Sequence, residues 1–392
     1  MVHVVTVPST VSLLRGQLGF CASAGFDVHV VASFDQEAAP LSDEVGVQFH
    51  SIQMTRSVAL LADLRAIAQL VALFRRLRPE IVQGGTPKGA LLAMIAARLV
   101  GTPVRIFHVR GLAHMSGAKV RARAAEASER LCCSLATHVQ CVSESVRQVL
   151  IQGGFCADEK AAVLLAGSSN GVDATGRFDP SKHIVGRAEL RRSLGVPENG
   201  VVIGFVGRLV RDKGIESLFD AWLQLREEFS AAFLLLVGPF EEGDPLPRRV
   251  QEGLTADPRV RITQTSWGEA APLYSAMDVV AFPSLREGFP NVPLEAAAMG
   301  LPIVAARAVG STDAVLDGET GLMVEPQDPG RLADALRVLL RDPGYGKQLG
   351  TAARKRALGQ YKPKDLWTAQ ILAYNQLLKT AGLKPTESTK SI

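Results

Sequence analysis

Glu287 and Glu295 flank the string Gly288-Phe289-Pro290-Asn291-Val292-Pro293-Leu294, which follows an apolar run at 278–282. Asn291 suits a helix cap and Pro293 a first helical turn. The amides of 288–292 then gather at a helix N-terminus, where anions bind. Glu287 falls in the loop ahead of that helix and Glu295 about one turn inside it. A second cluster, Gly207-Arg208-Leu209-Val210-Arg211-Asp212-Lys213-Gly214, ends another apolar run. A guanidinium fork and a lysine point charge at the carboxyl end of a parallel strand suit a diphosphate. The chemistry on offer is phosphate binding by cations and helix amides beside two carboxylates. The plainer alternatives are surface cations on a strand–turn–helix and carboxylates that complement a helix dipole.

Strands and helices must bring these side chains together. Runs at 2–7, 27–32, 46–52, 80–83, 104–109, 137–142 and 161–165 are mostly dense in Val and Ile, as strands buried on both faces are. Helices are expected between them at 11–24, 58–77, 88–99, 117–135 and 143–152. Leu60, Leu64, Ile67, Val71 and Phe74 share one face at helical spacing. Gly25 and Gly101 stand where helix caps belong. The alternation implies a parallel, doubly wound sheet. Gly171, Gly176, Pro180, Pro197 and Gly200 break the rhythm and mark a linker over 170–200. The rhythm restarts with strands at 201–207, 231–237, 259–263, 278–282, 301–305 and 321–324. The expected fold is α/β with two Rossmann-like halves, 1–180 and 181–363. A helix in 364–382 and a disordered tail at 383–392 complete the expectation.

Composition narrows the classes. The 392 residues are 47% hydrophobic and 21% charged, an ordinary globular balance for two to three domains. Aromatics at 6% fit neither a carbohydrate-binding module nor an RNA-stacking platform. The five cysteines show no CxxC, and the start Met1-Val2-His3-Val4-Val5 has no basic leader, so reduced thiols in a cytosolic protein are expected. No charge-free apolar stretch is long enough to span a membrane. GxGxxG after a strand, Walker A, HExxH, EF-hand and Asp-x-Asp patterns are all missing from the sequence. That argues against a dinucleotide oxidoreductase, a P-loop NTPase and a dedicated metal hydrolase. The net charge of +4 is too small to argue for nucleic acid. Residues 75–130 hold eleven Lys or Arg and three acids, which leaves −4 on the remainder. One basic face, or a set of solvated helix faces, accounts for that.

Glu287 and Glu295 have the E-x7-E spacing of retaining glycosyltransferases with the GT-B fold, and the chain resembles family 4 of those enzymes. Supporting strings are Gly207-Arg208 with Asp212-Lys213-Gly214, Leu236-Val237-Gly238-Pro239, Pro283-Ser284, Gly300-Leu301-Pro302 and Asp317-Gly318-Glu319-Thr320-Gly321. Val142-Ser143-Glu144-Ser145 and Ser168-Ser169-Asn170-Gly171 fit as well. The likeness runs over about 1–365 and is strongest to the branch that builds capsule, O-antigen and exopolysaccharide units on lipid carriers. It implies an acceptor domain and a nucleotide-sugar domain facing each other across a cleft, with the 364–382 helix crossing back to the first. By the same resemblance, Arg208 and Lys213 neutralise the diphosphate, Glu287 contacts the donor sugar and Glu295 the ribose. Gly207, Gly288, Phe289, Pro290 and Asn291 complete that donor site. The implied reaction is retaining transfer of a hexosyl or N-acetylhexosaminyl group to a lipid-diphosphate-linked acceptor. The donor is a UDP-sugar in preference to a GDP-sugar, and no metal or cofactor is called for. Two alternatives share the fold. A non-catalytic partner subunit should have lost a glutamate or a cation, and a sugar-nucleotide 2-epimerase should lack this pairing of Arg-x4-Lys with E-x7-E.

The sequence departs from the family pattern in its first half. The loop after the first strand reads Pro8-Ser9-Thr10 where many members carry Gly-Gly, with Gly16 further on as an acceptor-side candidate. Arg110-Gly111 stands where many members carry His-Gly, with His108 and His114 out of register. Arg110 is the catalytic candidate there, as a cation near a donor or acceptor phosphate. His108 is either packed or catalytic. Lys88, after Thr86-Pro87, either meets an acceptor diphosphate or caps a loop in water. Residues 113–135 join Lys119, Arg121 and Arg123 to an apolar end at Leu131–Leu135, and Arg75, Arg76 and Arg78 add charge. These predict reversible docking on an anionic membrane, peripheral at the inner face of the cytoplasmic membrane. A solvated helix and an acceptor-binding patch are the alternatives.

Overall fold

The computed structural model describes residues 1–34, 44–55, 59–115, 119–241, 243–265 and 270–386. The chain divides into two compact units, Met1–Asn170 with Pro363–Ile392, and Gly171–Lys362. The second unit therefore begins before the expected boundary at 181, and the helix after 363 belongs to the first.

Seven strands build the first unit: β1 (Val2–Val4), β2 (Val28–Ala32), β3 (Val47–Ser51), β4 (Ile81–Gly84), β5 (Val104–Val109), β6 (His138–Cys141) and β7 (Ala161–Val163). They form one parallel sheet in the order β3-β2-β1-β4-β5-β6-β7. Each overlaps its predicted run, with β4 extending one residue past 80–83 to Gly84. The helices are α1 (Gln17–Ser23), α2 (Leu60–Leu77), α3 (Pro87–Leu99), α4 (Lys119–Leu135) and α5 (Glu144–Gln152). The expected helix 11–24 is two pieces, a 3-10 segment at Pro8–Leu14 and α1. Gly16 separates them at φ 78°, a conformation that opposes helix continuation. The apolar face of α2 also differs from expectation. Ala66, Leu70, Leu73 and Phe74 are buried, whereas Leu60, Leu61 and Leu64 are exposed. The buried face is rotated from the expected one, and the first turns overhang it.

Polar side chains on the inner strands fix the C-terminal helix Pro363–Thr380 against this sheet. Tyr374 donates to Gln83 Oε1 at 2.6 Å, and Gln83 Nε2 donates to His108 Nδ1 at 2.9 Å. Gln370 Nε2 donates to Gln140 Oε1 at 3.0 Å. Ile371, Tyr374 and Leu378 enter the same apolar cluster as Leu18, Val28, Val30 and Ile106. Buried polar groups are stabilising only when paired, so this row of side chains selects the matching helix face. Beyond the helix, Thr386 donates to Asn375 Oδ1, so 383–386 are held; 387–392 lie outside the described residues.

The second unit carries β8 (Val201–Val206), β9 (Ala232–Val237), β10 (Val260–Thr263), β11 (Val279–Phe282), β12 (Ile303–Ala306) and β13 (Leu322–Val324). Their order is β10-β9-β8-β11-β12-β13, again all parallel. The helices are α6 (Ile184–Ser193), α7 (Ile215–Glu228), α8 (Arg248–Ala256), α9 (Ala271–Ser275), α10 (Asn291–Ala298), α11 (Ser311–Ala314), α12 (Pro329–Arg341) and α13 (Pro343–Gln360). Trp222 sits fully buried in the core with Phe205, Leu225, Leu234 and Leu336. Its Nε1 donates to Asp257 at 2.8 Å, so the indole is both packed and satisfied. Truncating such a side chain costs about 3–5 kcal/mol. No helix among the described residues is long and apolar enough to cross a membrane.

Candidate functional site

The carboxyl edge of the second sheet gathers the loops that follow β8, β11 and β12. Open parallel sheets bind ligands at this edge. The loop after β8 closes on the loop after β11 at Gly214. Its φ is 71°, and a Cβ there would lie 2.0 Å from the Pro283 carbonyl oxygen, so only glycine allows the approach. Leu285 N–H donates to Asp212 O at 2.9 Å, and Arg286 pairs with Asp212 across the same seam. Glu287 N–H donates to Val309 O at 3.1 Å, which ties in the loop after β12.

This seam joins two of the sequence candidates directly. Lys213 Nζ forms an ion pair with Glu287 Oε1. Ser284, fully buried, donates to the same oxygen at 2.7 Å. Oε2 of Glu287 has no hydrogen-bond partner among the described residues. Arg208 is held apart from that pair. It is half exposed and bonds Glu241 Oε2 at 2.6 Å. An exposed ion pair of this kind is worth about 0–1 kcal/mol, so a dianionic ligand competes for Arg208 easily. Gly207 N–H is already spent on Val237 O at 2.9 Å.

Glu295 lies inside α10, partly buried, and accepts from the Tyr274 hydroxyl at 2.8 Å. Burial raises its carboxyl above the usual range, against the Tyr274 hydrogen bond and the Arg177 charge. Pro290, with φ −77° and ψ 134°, is the N-cap of α10, and Asn291 is its first helical residue. The cap expected at Asn291 is thus one position earlier, and Pro290 makes no side-chain cap hydrogen bond. Its first amides remain for a ligand or solvent. Phe289, expected at the donor, is buried with its ring 5.5 Å from that of Tyr361. In this structure it packs the loop down. Gly288 lies between the two.

In the first unit Arg110 follows β5 and lies over Gly85. Its Nε and Nη1 are buried without a hydrogen-bond partner among the described residues. Burial lowers its pKa to about 10, so the guanidinium stays charged at neutral pH. His3 has a buried Nε2 with no partner among the described residues as well, and burial followed by the Arg110 charge lowers its pKa to about 3. His108 is buried, with its pKa pushed well below the ordinary value by the same causes. Since its Nδ1 accepts from Gln83, it is a packed neutral imidazole. The loop beyond Arg110 is clipped by Glu129, which accepts from Ala113 N–H at 2.7 Å and bonds His114.

Two other candidates are engaged elsewhere. Lys88 is neither in water nor free, since it pairs with Asp63 of α2 at 2.6 Å and both are largely buried. Gly16 N–H donates to the Glu44 carboxylate, Gly19 N–H donates to it at 2.7 Å, and the Trp367 ring covers Gly16. A carboxylate of this chain thus occupies the start of α1. Sequence reasoning missed Tyr274, Ser284 as a partner of Glu287, Glu44 and Glu129. Tyr274, Glu44 and Glu129 act through contacts at least 15 residues away, which spacing does not reveal. Ser284 is three residues from Glu287, but spacing in a loop does not say which way its hydroxyl turns.

The basic stretch is rearranged too. α3 packs between α2 and α4. In parallel strand–helix units all three helices start at the carboxyl edge of the sheet. Arg121 and Arg123 are exposed at that edge, together with Val120. The Lys119 side chain lies outside the described residues. Arg75, Arg76 and Arg78 stand at the end of α2, at the opposite edge and about 22–27 Å along the helix axis from its start. They do not join the α4 face as expected. Of the apolar end of α4, Cys132 and Cys133 are buried and Leu131 is exposed; Leu60, Leu61 and Leu64 at the start of α2 are exposed as well.

Comparison with known proteins matches this architecture. Residues 200–342 match the model of the glycosyl transferases group 1, and residues 14–167 that of the glycosyl transferase 4-like domain. The capsular polysaccharide biosynthesis glycosyltransferase CapM of Staphylococcus aureus is 32% identical over 377 residues, 96% of this chain and 97% of that one. The solved structure of HepE from Anabaena in complex with UDP and glucose superposes with a TM-score of 0.75 at 21% identity, covering 96% of this chain and 98% of that one. Sucrose-phosphate synthase from Thermosynechococcus elongatus gives a TM-score of 0.79 at 21% identity, over 97% of this chain and 99% of the other. The chain is an enzyme of the glycosyltransferase class and belongs to family 4 of the GT-B glycosyltransferases, on the branch that includes the capsular polysaccharide enzymes.

Proposed function

We propose that this glycosyltransferase acts in surface polysaccharide synthesis, moving a sugar from a UDP-sugar to a lipid-diphosphate-linked acceptor with retention at the anomeric carbon. The Lys213–Glu287 pair carries the reading, because it sets a cation and a carboxylate side by side at the ligand-binding edge of the second sheet. Lys213 and Arg208 meet the donor diphosphate. Their charge matters most as the glycosidic bond to phosphate breaks, so they act chiefly on the transition state. Oε2 of Glu287 faces the donor sugar, and Glu295 accepts from the ribose. Retention follows if the acceptor hydroxyl attacks on the face the diphosphate leaves, passing its proton to the departing phosphate oxygen. In the first unit the unpaired Arg110 N–H groups await a phosphate of donor or acceptor.

The relative CapM is named for capsular polysaccharide biosynthesis, and the structure of HepE holds UDP, which supports the pathway and the donor class. A lipid-linked acceptor also calls for a membrane-facing surface. Exposed Leu60, Leu61, Leu64 and Val120 beside Arg65, Arg121 and Arg123 supply one at the carboxyl edge of the first sheet. The test of donor class is a thermal-shift screen of nucleoside diphosphates. UDP should raise the melting temperature of the wild type, and the shift should shrink in Lys213→Ala. A shift with GDP and none with UDP reassigns the base, and no shift with any diphosphate contradicts the donor site.

A further inference from the structure

The two carboxylates of the donor site are each held at one oxygen by a buried hydroxyl, Ser284 on Glu287 and Tyr274 on Glu295. The second contact has no counterpart in the reading above. Tyr274 comes from α9, on the far side of β11 in sequence, and its side chain is fully buried. Its ring stands edge-on to Phe178, with centroids 6.0 Å apart and planes at 75°. Packing thus leaves the hydroxyl one direction, toward Glu295 Oε2. Burial, and then the charge of Glu295, raises the phenol well above its usual pKa, so it keeps its proton and remains a donor. Oε1 of Glu295 has no hydrogen-bond partner among the described residues. The phenol therefore restrains the carboxylate through Oε2 and leaves Oε1 for another donor.

We propose that Tyr274 is the positioning residue for ribose recognition, holding Glu295 Oε2 so that Oε1 accepts from a hydroxyl of the donor ribose. This rests on the reading of Glu295 as the ribose contact. A carboxylate on a freely rotating stem pays rotamer entropy each time it binds; one already fixed by a buried donor does not. Preorganisation of this kind strengthens the one contact that ribose supplies and deoxyribose lacks. It does nothing for the diphosphate, which is bound elsewhere in the site. A structural role alone, by contrast, weakens every ligand equally through loss of folded protein.

Calorimetric titration separates these cases. The wild type, Tyr274→Phe and Glu295→Gln are titrated with UDP, 2′-deoxy-UDP and 3′-deoxy-UDP, or with the guanosine series if the wild type binds GDP in place of UDP. The melting temperature of each variant confirms that the titrated protein is folded. Tyr274→Phe keeps the ring and its packing on Phe178. The wild type should prefer the ribonucleotide over at least one deoxy analogue by about tenfold, on the scale of one charge-assisted hydrogen bond. In Tyr274→Phe the ribonucleotide should bind about three- to tenfold more weakly while that deoxy analogue binds as before, so the preference collapses. If Glu295→Gln removes the preference and Tyr274→Phe retains it, Tyr274 does not position the carboxylate, and the ribose role of Glu295 stands. If Glu295→Gln keeps the wild-type preference, the ribose reading itself fails and the proposal with it. Equal weakening toward all three ligands in Tyr274→Phe also overturns it.

Discussion

Lys213 Nζ bonds Glu287 Oε1, and the two side chains are only 20% and 16% exposed. The proposed cation for the diphosphate and carboxylate for the sugar are therefore one unit in the free protein. Removing either leaves the other misplaced as well as alone. Lys213→Ala and Glu287→Ala should each slow transfer by at least about tenfold, and the double variant should be no slower than the slower single one. Steady-state rates on the four proteins check this. Multiplicative losses in the double variant mean that the two act separately.

Ser284 supplies the second bond to that same Glu287 oxygen. Ser284→Ala should lower turnover by less than Lys213→Ala, because Lys213 still holds the carboxylate. About two- to tenfold is expected, with nucleotide affinity unchanged. Loss of UDP affinity in Ser284→Ala places the hydroxyl in nucleotide binding instead.

Arg110 keeps two buried nitrogens, Nε and Nη1, without hydrogen-bond partners among the described residues, a cost the free protein bears. Arg110→Met removes a buried charge and fills the space with a side chain of similar length. It should raise stability by about 1–3 kcal/mol while slowing transfer. Urea denaturation and a turnover assay on one preparation give both numbers. A destabilised variant with normal turnover assigns Arg110 to the fold.

Acid should weaken the first unit through its buried imidazoles. His3 and His108 have folded pKa values below the ordinary 6.5, at about 3 for His3. The unfolded chain therefore takes up protons that the folded one refuses. Stability from these groups is full above about pH 6.5 and falls as the pH drops toward 3. A buried histidine with a folded pKa near 3 loses about 1.6 kcal/mol of stabilisation between pH 6.5 and 5.0. Urea midpoints across that range should drop for the wild type, and less steeply for His3→Gln. Equal slopes in both mean that His3 titrates normally.

Much of this was legible in the chain. Each of the thirteen strands overlaps an expected apolar run, most of them rich in Val, Ile or Leu, as strands buried on both faces are. The Glu287–Glu295 spacing and the Arg208–Lys213 loop located the edge where the candidate site lies. What escaped was direction. The α2 sequence offers two apolar faces, and only packing against α3 decides that Leu70 and Phe74 go inward while Leu60 and Leu64 stay in water. Lys88 looked like a loop cation because Asp63, its partner, sits on another helix. Phe289 looked ligand-facing because Tyr361, its packing partner, comes from far along the chain.

The exposed leucines carry a membrane prediction. Anionic liposomes should float the wild type at low salt, less so as salt rises. Arg121→Glu with Arg123→Glu should reduce binding through charge, and Leu60→Ser with Leu61→Ser and Leu64→Ser through apolar contact. Arg75→Glu with Arg76→Glu, at the opposite edge, should leave it unchanged. Flotation that depends on Arg75 and Arg76 but not on the leucines would place the docking face elsewhere.

The most direct test of the donor site is release of nucleoside diphosphate from a panel of UDP- and GDP-sugars without acceptor. Slow hydrolysis needs only the donor, the cation pair and Glu287, so it isolates the second unit's chemistry from an unknown acceptor. The wild type should release UDP from at least one UDP-sugar, Glu287→Ala and Lys213→Ala should release little or none, and the recovered nucleotide sugar should keep its original configuration. Release at the wild-type rate by Glu287→Ala, or recovery of a 2-epimer of the nucleotide sugar, would contradict the account.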